Sequence, residues 1–152
     1  MNLGIVGSEA AKFTPATELK AREVIRAWIK KYDEVVSGGC HLGGIDIWAK
    51  EEAGKLGIPF TEYLPKTRSW EHYKERNIKI AERSHVVICI TVKELPPGYK
   101  KRGFESPCYH CNTDTHIKSG GCWTVKYAKL KLLRVGFVIV IEGNDDSKTQ
   151  TV

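Results

Sequence analysis

The chain has 152 residues, with 24 lysines and arginines against 18 acidic residues and a net charge of +6, which suits one domain that buries about 68–70% of its unfolded surface and favours anionic ligands without specifying nucleic acid. No run approaches the ~18 continuous apolar residues of a membrane span. Five cysteines cannot all pair with one another, and no secretory leader precedes the first apolar run, so the expectation is a cytoplasmic protein with reduced thiols and no membrane partner.

Apolar and amphipathic runs alternate along the chain, the pattern of a parallel sheet covered by helices on both faces. Leu3–Val6 reads as a first strand. Thr14 caps a helix whose first turn takes Pro15, and Ala21, Val24, Ile25, Trp28, Ile29 and Tyr32 recur along one face of it. Glu34–Val36 is a short second strand. Ile45, Trp48, Ala49, Ala53 and Leu56 mark a second helix ending near Gly57. Ile58–Tyr63 is a third strand, Ser69 caps a third helix running to about Arg83, and HVVICI is a fourth strand of the fully buried parallel type. Residues 93–118 break the rhythm with Pro-Pro-Gly, a basic Lys100, Lys101, Arg102 stretch and cysteines, and read as an inserted loop. A fourth helix spans about Trp123–Leu132 and VGFVIVIE is a fifth strand. The expected fold class is α/β: one doubly wound, mostly parallel five-stranded domain over 1–142 with a Cys/His-rich insertion, and a frayed polar tail over 143–152. No internal repeat is present, and the oligomeric state is left open, a homo-oligomer included.

Cys108, Cys111, His116 and Cys122 form a candidate metal site. A Cys-x-x-Cys pair offers two thiolates from one tight turn, and a soft Cys/His set suits tetrahedral zinc. The short intervals between Cys111, His116 and Cys122 match no standard finger. His110 is an alternative ligand, and Cys122 is also placed to serve the glycine turn beside it. Cys89, inside the apolar fourth strand, reads as core.

Three glycine-bearing turns fall at expected carboxyl ends of strands: Gly7–Ala10, Ser37–Gly44 and Ser119–Gly121. Open parallel sheets bind ligands at that edge, glycine permits close backbone approach, and the amides of a following helix start attract phosphate. None of the three is a P-loop or a dinucleotide fingerprint. Asp46 opens the second helix, where a carboxylate favours the dipole or can hydrogen-bond a ribose hydroxyl. Cys40 and His41 lie within the same turn. Arg76 can clamp phosphate and Asn77 can read a base or ribose edge, although both stand on a helix rich in solvated charge. The hydroxyl of Thr124 is a candidate phosphate contact, and Trp123 is a core residue or a stacking surface.

GIVGS, VSGGCHLGGID, ERNIKIAERSHVVI and SGGCWTVKYA, in that order over residues 2–142, resemble the motifs of the Rossmann-like domain of DNA-processing protein A, within the wider SLOG superfamily. The resemblance implies a site for a nucleotide or single-stranded nucleic acid built from Gly7, Ser8, Ser37, Gly38, Gly39, Gly44, Asp46, Arg76, Asn77, Ser119, Gly120 and Thr124. The cysteine insertion departs from that family's pattern. Cytokinin-activating phosphoribohydrolases share the superfamily, so nucleotide N-glycosidic hydrolysis is a second reading. Their glycine motif continues to Gly-Thr and a catalytic glutamate, whereas Trp123 and Tyr127 stand at those places here. A third reading is a zinc-stabilised interaction protein.

Overall fold

The computed structural model describes residues 1–99 and 106–144. The strands are β1 (Asn2–Gly7), β2 (Glu34–Gly38), β3 (Phe60–Tyr63), β4 (Val86–Val92) and β5 (Val135–Ile141), and the helices α1 (Pro15–Ile29), α2 (Ile45–Leu56), α3 (Trp70–Arg83) and α4 (Gly120–Lys131). A short 3-10 turn, Ala10–Lys12, lies between β1 and α1. The five strands form one sheet in the order β3-β2-β1-β4-β5, and every neighbouring pair is parallel. The chain thus winds outward from β1 to β3, then crosses back to lay β4 and β5 on the other side of β1. This is the doubly wound α/β architecture that the alternating runs predict.

Alternation along the strands divides the core in two. Leu3, Ile5, Val35, Ile88 and Ile90 pack with Ile25 and Ile29 of α1 and with Trp48, Ala49 and Ala53 of α2. Val6, Val36, Val87 and Cys89 pack with Ile80 and Ala81 of α3 and with Cys122, Val125 and Ala128 of α4. All seven residues of β4 are buried, which is why HVVICI carries no polar alternation. Cys89 is core, as its apolar neighbours imply.

The helix ends follow their side chains. Thr14 and Thr17 form a reciprocal cap before Pro15, Ser69 accepts from the His72 amide, and Gly57 closes α2 in the left-handed region at φ 69°. Strand β2 continues through Ser37 and Gly38, so those two residues are strand and not turn. Helix α4 starts at Gly120, a turn before Trp123, because Ser119 is extended and its hydroxyl accepts from the Gly121 amide at 3.2 Å. Asn144, assigned from sequence to the polar tail, is 2% exposed. Its side chain donates to the carbonyls of Lys12 and Glu94 and accepts from the Thr17 hydroxyl. Lys100, Lys101, Arg102 and residues 145–152 lie outside the described residues.

Between α1 and α2, Glu52 is fully buried and ion-paired with Arg22, Arg26 and Lys55. Burial raises its pKa, but Arg26, Arg22 and Lys55 outweigh that and hold it down at about 2. Removing one partner of such a pair strands the other charges. Glu52→Ala is expected to lose roughly 3–5 kcal/mol of stability, whereas Glu51→Ala, at the half-exposed end of the same network, should lose under about 1 kcal/mol. Urea unfolding of the two variants checks the contrast.

Candidate functional site

A cleft of about 850 Å³ opens along the carboxyl edge of the sheet. Its walls come from the loop after β1, the loop before α2, the 64–68 segment and the first turns of α3 and α4. The crossover between β1 and β4 positions it, since the chain leaves those strands in opposite directions and parts there.

Of the residues expected at a phosphate site, Gly7, Ser8, Gly39, Asp46, Arg76, Asn77, Ser119 and Gly120 line this cleft. Ser37, Gly38, Gly44 and Thr124 do not. The Ser37 hydroxyl is fully buried and donates to the Ile5 carbonyl at 2.5 Å. Thr124 is likewise 0% exposed, one turn inside α4. Gly38 and Gly44 serve the walls. A Cβ on Gly38 would strike the Arg76 guanidinium, and Gly44, at φ 92°, packs against the Ser8–Ala10 backbone. The Ser8 hydroxyl is engaged with that of Thr91 at 2.8 Å, which ties the first loop to β4. By contrast, nothing lies within 4 Å of a Cβ placed on Gly120, so the first turn of α4 is open toward the cleft.

Asp46 and Arg76 are the charged pair of this set. Asp46 is 7% exposed. Burial drives its pKa up to about 7, against the opposing pull of Arg76, the Ser37 hydroxyl and the Gly7 amide, while Glu62 adds to the rise. Arg76 is oriented by its Nε, which donates to the Asn77 carbonyl oxygen at 2.8 Å, and by the Tyr73 ring 5.5 Å away. Asn77 therefore acts on Arg76 within the fold. Cys40 and His41 also line the cleft, and burial pushes the Cys40 thiol up.

Sequence reasoning centred on glycine turns and missed much of the basic lining. Lys12, Lys66, Arg68 and Lys118 all face the cleft, with Glu9 as the second carboxylate besides Asp46. Lys12 is 4% exposed and donates to the Lys118 carbonyl at 2.7 Å. Trp70 and Tyr73 supply aromatic faces. The available signal was LPKTRSW, a basic segment directly after the third strand at the ligand-binding edge.

On the α4 side of the sheet the sulfurs of Cys108, Cys111 and Cys122 and a ring nitrogen of His116 all lie within 4.8 Å of one another. The 108–118 loop builds this group through a Pro107–Ile117 bridge, a Cys108 amide bond to the His116 carbonyl at 3.0 Å, and an Ile117 amide bond to Val92 at 2.9 Å. The residue after Cys111, Asn112, turns the knuckle at φ 52°. His116 is buried, its Nδ1 3.1 Å from the Thr115 hydroxyl and its Nε2 3.7 Å from the Cys122 sulfur. That arrangement leaves Nε2 as the ligand atom. His110 is not part of the group, and its ring rests on Tyr109.

The donor set fits a cation. Burial raises the Cys108 thiol, but the amides of Cys111 and Ser119 outweigh it and lower its pKa, which favours the thiolate. Cys111 is pushed up to about 12 by burial and by the neighbouring sulfurs. Cys122 is pushed up by its contact with Cys89 and by burial. Crowded thiols of this kind ionise together when a metal ion compensates their charge.

No protein-family model matches the sequence, and no curated protein matches it. The fold has clear counterparts. The molybdenum cofactor carrier protein of Chlamydomonas reinhardtii aligns with a TM-score of 0.57 and 14% identity, over 99% of this chain and 82% of that one. DNA processing protein A of Streptococcus pneumoniae aligns with a TM-score of 0.56 and 18% identity, over 90% of this chain and 49% of that one. The chain thus spans about half the length of the latter protein. At these identities the likeness is one of fold, and the chain has the Rossmann-like α/β fold of these two proteins.

Proposed function

We propose that the chain binds the phosphate of a nucleotide, or of a single-stranded nucleic-acid end, in the cleft at the carboxyl edge of its sheet, beside a loop tied by zinc. The observation that carries this reading is the meeting of the open first turn of α4 with Lys12, Lys66, Arg68, Arg76 and Lys118 around one cleft. A helix start offers unpaired amides and the positive end of the dipole, and arginine adds paired donors. The two fold relatives are by name a DNA-processing protein and a cofactor carrier, which supports a nucleic-acid or small-molecule ligand.

Hydrolysis of an N-glycosidic bond is the second reading, favoured by one feature: Asp46 is a buried carboxyl with a pKa near neutrality in the cleft. Against it, Tyr127 stacks on Trp123 at 5.3 Å between ring centroids, outside the cleft lining. No carboxylate therefore occupies the place where the phosphoribohydrolase pattern needs one. Binding ranks above catalysis on this ground. Among the described residues no helix is long and apolar enough to cross a membrane.

The donor set supports zinc as the ion. Bonds of about 2.3 Å in a tetrahedron set sulfurs roughly 3.8 Å apart, close to the spacing of the four donors. Protein purified without chelator should carry one zinc per chain by elemental analysis, and Cys111→Ser should abolish it.

Arg76→Ala should weaken binding of nucleoside 5′-monophosphates by about tenfold or more, as read by calorimetry. Short single strands bearing a 5′-phosphate should lose affinity steeply with salt only if several phosphates are held. Release of free base from the monophosphates would instead promote the hydrolase.

Sulfate, which stays dianionic across the range, isolates the effect of Asp46. Below pH 7 the carboxyl is protonated and neutral, and above it an added negative charge opposes the anion. Sulfate affinity should therefore fall as pH rises through about 7, and Asp46→Asn should flatten the profile.

A further inference from the structure

Two buried polar atoms of opposite sense, on residues that line the cleft, have no partner in the fold. Oδ1 of Asp46 and Nη1 of Arg76 each make no hydrogen bond, and both residues line the cleft. Ionised Asp46 only accepts and Arg76 only donates. Native proteins keep few such atoms, and those they keep call for an explanation.

Both are held in place by the surrounding fold. Asp46 is the second residue of α2, in the first turn after the Gly44 cap, whose backbone is wedged against Ser8–Ala10. Arg76 lies over the bare face of Gly38, tethered by Asn77. The pair is preorganised, yet its two unpartnered atoms do not satisfy each other.

A phosphate oxygen would satisfy Arg76 and be repelled by ionised Asp46, while an ammonium would do the reverse. A neutral hydroxyl serves both, donating to the carboxylate and accepting from the guanidinium. We infer that the Asp46–Arg76 pair reads a sugar hydroxyl, so that the ligand of this cleft is a ribose-containing 5′-phosphate in preference to its deoxy counterpart. The inference rests on the proposed phosphate site. It deepens that site by dividing the labour: the α4 turn takes the phosphate, the charged pair takes the sugar, and the Trp70 and Tyr73 rings remain for a base. A donor beside an acceptor also occurs on the amide edge of guanine, so sugar and base are tested separately.

The experiment is calorimetric titration of the full chain at about pH 8, where Asp46 is ionised. The probes are inorganic phosphate, ribose 5-phosphate, 2-deoxyribose 5-phosphate, and AMP and GMP with their 2′- and 3′-deoxy forms. Loss of at least one sugar hydroxyl is expected to weaken binding about tenfold or more whichever base is present. The gap should close in Asp46→Ala, with a thermal melt confirming its fold. Should that variant fail to fold, the wild-type ribo-to-deoxy ratios decide alone. Equal affinity for ribo and deoxy probes, with phosphate still bound, overturns the sugar reading and leaves the phosphate site standing. GMP and its deoxy forms binding alike, and more tightly than AMP, assigns the pair to a guanine edge and also overturns it. Binding of no probe at all removes the phosphate site and this inference together.

Discussion

The close approach of α4 to β1 is the constraint on which the rest of the molecule depends. A Cβ on Gly121 would stand 2.8 Å from the Cys89 sulfur, 2.9 Å from Val6 and 3.0 Å from the Gly7 amide. The first two are closer than a real Cβ comes to its neighbours and the third is tighter than most such contacts. With no side chain at Gly121, the first turn of α4 sits directly on the end of β1 and so becomes one wall of the cleft. The next residue, Cys122, is then carried under the sheet edge to meet the 108–118 loop. Cleft and metal group are two products of one backbone contact.

Charge is distributed around that contact with a consistent logic. Lys66 and Arg68 stand at exposed positions of the cleft, Arg76 and Lys118 are half-buried and Lys12 is buried, while Asp46 is a buried carboxyl that burial keeps near neutrality. Farther along the same helix, between α1 and α2, Glu52 is just as buried but surrounded by cations, and its pKa is displaced the other way. Two buried acids on one helix are thus shifted in opposite directions, because three cations outweigh the burial of Glu52 while burial outweighs the weaker pull of Arg76, Ser37 and Gly7 on Asp46. The partnered acid belongs to the scaffold. The other keeps one carboxyl oxygen without a hydrogen-bond partner.

Strand and helix types were legible because each depends on local pattern: seven buried residues of β4 in a row, the Thr14-Pro15 start, the Gly57 stop. The glycines were legible as a group and misread one by one. Gly38 and Gly44 hold walls together, Gly121 admits a helix, and among the glycines of the three turns Gly120 leaves open space. Which task a glycine performs depends on what lies across from it, and that information is not local. The same holds for Thr124, whose place after SGG suggested a ligand contact until the earlier helix start turned it inward. Cys108, Cys111, His116 and Cys122 do come together, because Cys and His in close sequence leave few alternatives. Lys12 and Lys118 went unnoticed because a lysine carries no such signature.

Asn144 gives the domain a closure that its chemistry alone would not suggest. By hydrogen bonding to Lys12, Thr17 and Glu94 at once, it fastens the exit of the last strand to the segment between the first strand and the first helix. The segment that follows β5 is therefore tied to the N-terminal half. An expression boundary drawn at Gly143, which would look safe by composition, would cut the anchor of the loop that carries Lys12 and would disturb the cleft from the far end of the sequence.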